Sequence, residues 1–281
     1  MALIEAQPLT DIIKLTLQTA YISDVEKPVN LLIIAIPESG KTTAMAKFNI
    51  AGTYTTNNIT QWVVVNKILP MIEREGLKHL IIPDFLNAIE KDYTTRKGFL
   101  NLTKTLIEEG ITSLDQFNVR TSKIYNPPIQ CGLITGITKN SFFGFYDQKE
   151  LRWKGGVKYD WASTGLLSRF VPFSYEYELT KIGRIFSAIE ASEQGPNQKG
   201  KHVVVRTKRK VEGDSVLFQK LESISRLIGG ETGSYGFRMQ RNLQALARAN
   251  AVLNDRSKVA QEDIDQITHL ANWANYRNNP L

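Results

Sequence analysis

The residues with the clearest chemical capacity form one run, Ala35-Ile36-Pro37-Glu38-Ser39-Gly40-Lys41-Thr42-Thr43. A loop of this kind wraps backbone N–H groups around a phosphate, and Gly40 lets the main chain approach closely. Lys41 is expected to reach the β- and γ-phosphates of a nucleotide, and the Thr42 hydroxyl to ligate Mg²⁺. Pro37, Glu38, Ser39 and Thr43 complete the cradle, and a helix starting at Lys41 adds the positive end of its dipole. The usual pattern opens on glycine; Ala35 stands there instead. Such a site also needs a strand-end carboxylate to hold the metal shell. Leu80-Ile81-Ile82-Pro83-Asp84 supplies one, so Asp84 is the predicted residue, on a strand expected to lie beside the phosphate-loop strand. Asp84 is also suited to cap the helical segment that follows it.

The elements around these residues read as alternating strands and helices. Apolar residues at near-helical spacing (Leu9, Ile12, Ile13, Leu17) predict a first helix, with Thr10 or Asp11 as its cap. Val29 to Ile36 is apolar except for Asn30, as a strand buried on both faces would be. A helix is predicted from Lys41 to Phe48 and another from Trp62 to Lys78. Strands follow at 79–84 and 130–138, with an amphipathic helix around 99–109 between them. This alternation implies an α/β fold with a parallel sheet. After Phe173 the pattern changes. Leu179 to Ala191 reads as helix, 192–201 as a polar loop and 202–210 as a strand ending in charge. Helices are predicted over 214–228, with Asp214 as N-cap, and over 238–254 and 261–275.

Composition narrows the function classes. The 281 residues carry 35 Lys+Arg against 28 Asp+Glu, a formal net charge of +7. The 42% hydrophobic and 9% aromatic content suits a globular chain rather than a disordered one. No apolar run reaches the roughly 18–20 residues of a membrane span, and the first residues lack signal-peptide order, so a cytoplasmic protein is expected. One cysteine, Cys131, and three histidines argue against a disulfide framework, a cysteine zinc cluster or a metal-hydrolase site. The positive balance permits nucleic acid as a partner.

With the two motifs joined to the C-terminal helices, the chain resembles an AAA+ ATPase, nearest in pattern to the MCM/MoxR-like branch, over about residues 29–275. The resemblance implies a parallel-sheet P-loop NTPase core at 29–176, preceded by an N-terminal helix within 1–28. A helical lid at 177–281 follows, with a basic insertion at 192–212. It implies ATP and Mg²⁺ as ligands and a ring, spiral or filament of identical subunits. Leu133-Ile134-Thr135-Gly136-Ile137-Thr138 is similar to the strand that ends in sensor 1, so Thr138 is that residue, with Thr135 and Asn140 as rivals. Ser168-Arg169-Phe170 resembles the MCM segment that carries the arginine finger, which makes Arg169 the finger acting on a neighbour and Arg152 the weaker choice. Arg238 matches sensor 2, sensing the γ-phosphate, with Arg241 one turn later. The Glu262-Asp263 start of the last helix also matches the lid. Hydrolysing relatives place Glu after the strand-end Asp. Here it is Phe85, with Glu90 further along, so binding is better supported than hydrolysis.

Two segments suit nucleic acid. Lys199, Lys201, Arg206, Lys208, Arg209 and Lys210 lie within twelve residues containing no acid, fit either to follow a phosphate backbone or to stand as a solvated, like-charged loop. Phe142, Phe143, Phe145 and Tyr146, running on to Arg152, Trp153, Lys154, Lys158 and Trp161, interleave aromatics with cations as a single-strand stacking surface does, and the same composition describes a hairpin that packs its aromatics into a core or a subunit contact, the reading preferred here. The expected function is therefore an ATPase assembling on DNA, coupling nucleotide turnover to translocation, remodelling or partner loading in a replication or mobile-element system. The alternatives are a MoxR-like protein remodeller and a nucleotide-dependent assembly switch that hydrolyses little.

Overall fold

The computed structural model describes residues 7–117, 123–145, 165–190 and 204–276. Five strands form one sheet: β1 (Leu31–Ala35), β2 (Thr53–Thr55), β3 (His79–Ile82), β6 (Gly132–Thr138) and β7 (Val171–Tyr175). Their order is β2-β3-β6-β1-β7, and all four pairings are parallel. A separate antiparallel pair joins β4 (Ile111–Ser113) to β5 (Ile124–Ile129). In the described part of the run 202–210 expected as a strand, residues 204–210 form no named strand and make a single parallel bridge, Arg209 to Ile22.

Strand alternation divides the core into two layers. Leu31, Ile33 and Ala35 face a cluster shared with α1 (Gln7–Gln18), α2 (Lys41–Ala46) and the C-terminal helices. Leu32 and Ile34 face the other layer. That layer comprises α3 (Gln61–Val63), α4 (Leu69–Glu75), α5 (Leu86–Ile89) and α6 (Tyr93–Ile107), a π-helical turn Val64–Ile68 joining the first two. Each of these β1 side chains is at most 1% exposed, and such burial stabilises by about 1.5–3 kcal/mol for a Leu or Ile. Asn30, the polar break in the run, is buried but satisfied. Its Oδ1 accepts from the Leu133 N–H at 2.9 Å and its Nδ2 donates to the Arg169 carbonyl at 3.2 Å, tying the starts of β6 and β7 to β1.

β7 is an edge strand, which is where Pro172 is tolerated. The Val171 N–H faces inward to the Asn30 carbonyl, so the neighbouring N–H positions face outward. Pro172 has none to lose there, and the Ser174 N–H is met by the Trp273 carbonyl at 2.8 Å.

The remaining helices are α7 (Lys139–Phe145), α8 (Leu179–Glu190), α9 (Ser215–Gln219), α10 (Glu222–Glu231), α11 (Phe237–Leu253) and α12 (Gln261–Leu270). The single helix expected over 214–228 is thus two. Asp214 does cap α9, accepting from Val216 N–H at 3.0 Å and Leu217 N–H at 3.3 Å. Thr10 and Asp11 lie inside α1 rather than capping it, because the helix already runs from Gln7. No described helix is long and apolar enough to cross a membrane.

Candidate functional site

Residues 35–43, the run expected to cradle a phosphate, occupy the loop between β1 and α2, at the C-terminal end of the sheet, where the chain leaves β1 with strands on both sides. Such a switch point leaves a crevice in which ligands settle. Glu38 has φ +60° and Gly40 φ +82°, with Ser39 between them. Left-handed residues alternating along a short loop turn successive N–H groups inward, forming a concave anion nest. Glu38 is exposed and adopts this conformation without being glycine, a strain of about 1–2 kcal/mol.

Lys41 lies folded within its own loop. Its Nζ donates to the Ala35 carbonyl at 2.9 Å, the Ile36 carbonyl at 2.7 Å and Ser39 Oγ at 3.2 Å. Burial lowers its pKa to about 8, opposed by the charge of Asp84. Thr42 and Thr43 are exposed on the first turn of α2.

Asp84 reaches Lys41 by a route the sequence did not indicate. Its strand β3 does not flank β1; β6 lies between them. The correction has a physical cause in Gly136, at the centre of β6. The Phe85 N–H donates to the Gly136 carbonyl at 2.8 Å, and a Cβ at Gly136 would stand 2.7 Å from the Pro83 carbonyl oxygen. The missing side chain lets the Pro83–Asp84 turn cross over β6 toward the loop. Asp84 Oδ1 also accepts from the Leu86 N–H at 3.0 Å and Oδ2 from Asn87 Nδ2 at 3.1 Å, so the capping role expected of it is present as well.

Thr138 ends β6 in register with Ala35, directly beside the loop's first residue, and its hydroxyl donates to Ser141 Oγ at 2.7 Å. Thr135 is fully buried with its hydroxyl donated to the Ile82 carbonyl, which removes it as a rival, while Asn140 is exposed on α7. Phe85, at the position where a water-activating Glu would stand, is fully buried and packs edge-on against Phe99 at 6.1 Å. Glu90 is exposed at the end of α5.

The arginines lie elsewhere. Arg169 precedes β7 and Arg238 opens α11; Arg238 Nη1 donates to Ser168 Oγ at 2.9 Å. Both therefore sit at the N-terminal end of the sheet, separated from the phosphate loop by the length of β7, roughly 15 Å of strand. Arg238, expected to sense the γ-phosphate, is thus not among the residues that this structure brings to the loop of residues 35–43. The cause lies in the α10–α11 turn, where Gly236 (φ +83°) closes against the Ser225 carbonyl so tightly that a Cβ would stand 2.3 Å away. That turn aims the first residues of α11 at the start of β7.

Around the two arginines lies a mainly cationic cluster. Burial alone would raise the Glu108 carboxyl, but Lys27 at 2.5 Å and Arg238 at 2.9 Å outweigh it and hold the pKa below its ordinary value. Lys104 is lowered by burial and then by the charge of Arg169. Arg169 donates to the Gly165 carbonyl at 2.7 Å and to Glu109 at 3.3 Å, while its buried Nε meets no acceptor among the described residues. Its side chain is only 13% exposed. Arg241 is exposed.

Of the basic run, Arg206, Lys208 and Lys210 are exposed and Arg209 pairs with Asp255 at 2.5 Å. Lys199, Lys201 and Arg152 lie outside the described residues, as does the aromatic segment from Tyr146 to Trp161. Phe142 is a core residue, stacked on Tyr276 at 5.7 Å. Cys131 is buried and its thiol is pushed up to about 12, which leaves it inert. A cavity of about 580 Å³ between the 19–28 segment and β5 is lined, among the residues expected to be functional, by Lys208 alone.

Sequence reasoning missed Gly136, the positive φ of Glu38, and Tyr175 and Tyr177, whose hydroxyls both reach the phosphate loop. The signal for the tyrosines was their i, i+2 spacing at the end of a buried strand, which puts them on one face. Among the described residues no group of three or more His, Cys, Asp or Glu is arranged to hold a metal ion. One carboxylate and one hydroxyl are nevertheless what Mg²⁺ takes from a protein when phosphates supply the rest. Searched against known proteins, the chain matches no family model and no curated protein.

Proposed function

We propose that this chain is an ATP- and Mg²⁺-binding ATPase of the AAA+ type that works as an oligomer of identical subunits on DNA. The observation that carries the reading is the convergence of Lys41, Asp84 and Thr138 on the loop that follows β1, with Asp84 close enough to influence the Lys41 ammonium. In this reading the N–H groups of residues 38–43 and the Lys41 ammonium hold the phosphates. Thr42 and Asp84 hold the metal and its water shell, and Thr138 orients the water near the γ-phosphate. The bound Mg²⁺ would supply charge neutralisation between the phosphate oxygens. Arg169 and Arg238 lie at the far end of the sheet from this loop, and in this reading they act on a nucleotide held by another copy. There they complete the positive clamp on the transferring phosphoryl group. The helical C-terminal third acts as the lid that carries Arg238.

The test is phosphate release by wild-type, Lys41→Ala and Arg169→Ala proteins, with and without DNA. Lys41→Ala abolishes nucleotide binding; Arg169→Ala leaves binding intact and removes turnover. Unchanged affinity in the first variant sinks the phosphate-loop assignment. Mixtures of wild-type and Arg169→Ala chains that behave as independent sites sink the trans role. A second reading, an assembly switch that binds ATP and hydrolyses it slowly, is favoured by Phe85, whose burial leaves no carboxylate directly after Asp84. Tight ATP binding without phosphate release, with or without DNA, selects it. Turnover that DNA does not stimulate selects a remodeller of polypeptide clients.

A further inference from the structure

At the C-terminal end of β7 the strand's alternation puts Phe173, Tyr175 and Tyr177 in one aromatic row. Phe173 and Tyr175 are 6.0 Å apart at 57°, and Tyr175 and Tyr177 5.8 Å apart at 65°. Trp273 supports the row from the C-terminal segment, 6.1 Å from Phe173. Both hydroxyls at the end of this row donate to one atom. Tyr175 Oη lies 2.9 Å from the Ser39 carbonyl oxygen, and Tyr177 Oη lies 2.8 Å from it. Two donors use both lone pairs of that oxygen. Burial raises the pKa of both phenols, so they stay protonated and able to donate.

This grip has a geometric consequence one bond away. The Ser39–Gly40 peptide is trans and planar, so its N–H points opposite to its carbonyl. The carbonyl is held toward β7, and the Gly40 N–H is therefore turned toward the β6 side of the loop, where Thr138 ends its strand beside Ala35. A rotated peptide would present a carbonyl oxygen to an incoming anion instead of a donor. Gly40, at φ +82°, has no side chain to resist that rotation, so something else must prevent it.

We propose that Tyr175 and Tyr177 are positioning residues of the phosphate loop, holding the Ser39–Gly40 peptide with its N–H toward the bound phosphate. The proposal rests on the phosphate-loop reading and adds to it the part that keeps the nest in its anion-binding form. The duplicated donor makes a specific demand: one hydroxyl suffices to hold the carbonyl in part, and losing both releases it.

The test is a double-mutant cycle on nucleotide affinity, using Tyr175→Phe, Tyr177→Phe and the double variant in the full chain, titrated with ATP and with pyrophosphate. Each single variant loses about fivefold in affinity, the worth of one ordinary hydrogen bond. The double variant loses more than the product of the two, for both ligands. Each variant stays folded, because the rings and their packing remain. A ring that only filled space would give no coupling in binding. ATP and pyrophosphate affinities of the double variant equal to wild type overturn the proposal, as do losses that simply multiply. Wild-type protein that binds neither ligand sinks the phosphate-loop reading itself, a different outcome. Should the double variant fail to fold, half-buried Tyr177 decides alone, and an unchanged affinity in Tyr177→Phe overturns the proposal.

Discussion

Lys41 is the residue at which the site's electrostatics are most exposed to experiment. Burial brings its pKa down to about 8 in the free protein, while a bound polyphosphate favours the ammonium. Binding therefore takes up a proton above that value. The sign follows: affinity for ATP is level below about pH 8 and falls about tenfold per unit as the pH rises beyond it. Affinity measured across this range that stays flat refutes the assignment of Lys41 to the phosphates. Glu38 offers a second test, because it places a carboxylate in a loop built to receive a polyanion. In Glu38→Gly, relief of about 1 kcal/mol of left-handed strain is nearly offset by about 0.5–1 kcal/mol of extra unfolded-chain freedom, so stability changes little. The removed charge is not offset. ATP affinity rises several-fold, most at low salt, and an affinity that is unchanged or weaker contradicts the loop's orientation toward phosphate.

At the scale of elements, the crossing of the β3 end over β6 decides whether the metal carboxylate reaches the loop. Gly136→Ala would push a methyl group to 2.7 Å from the Pro83 carbonyl, a backbone atom that yields only if the turn moves. A loss of about 1–3 kcal/mol in stability is expected from the crowding. The diagnostic effect is on the metal: the variant binds ATP without Mg²⁺ as wild type does, but the gain in affinity on adding Mg²⁺ shrinks. A full Mg²⁺ gain in Gly136→Ala would show that Asp84 does not depend on this crossing. β7 links the two ends of the molecule in the same way, since its approach carries Arg169 and its exit carries Tyr175 and Tyr177. One short strand thus spans the arginine cluster and the loop of residues 35–43.

Across the whole molecule, the positive balance has an outlet in the segment after Val205. Arg206, Lys208 and Lys210 are exposed there, whereas Arg209 is engaged by Asp255 and also docks its backbone beside Ile22. Replacing the three exposed residues with Gln should reduce the slope of log affinity for DNA against log salt by about one for each phosphate that is no longer neutralised. A slope equal to wild type rejects this segment as the DNA-binding surface.

How far the sequence reached differs between the loop and the arginines. Residues 35–43 are contiguous, so their place on one loop was legible from their spacing, and the buried strand before them was legible from its apolar run. Cap Asp214 was legible for the same reason, because a cap acts within three residues. The order of the strands was not: apolar runs at 31–35, 79–82 and 132–138 are interchangeable as strings, and only side-by-side packing put β6 between the other two. The position of Arg238 was not legible because a helical pattern records which residues share a face but not which end of the sheet that face meets; the close approach at Gly236 settles that in three dimensions. The tyrosine grip on Ser39 joins residues 136 positions apart in the chain. By itself the sequence determined the α/β class and the place of residues 35–43 on one strand-to-helix loop, both properties of short-range pattern. Tertiary structure alone decided which distant groups meet that loop, because those meetings depend on strand order and on close backbone approaches that leave no local periodic trace.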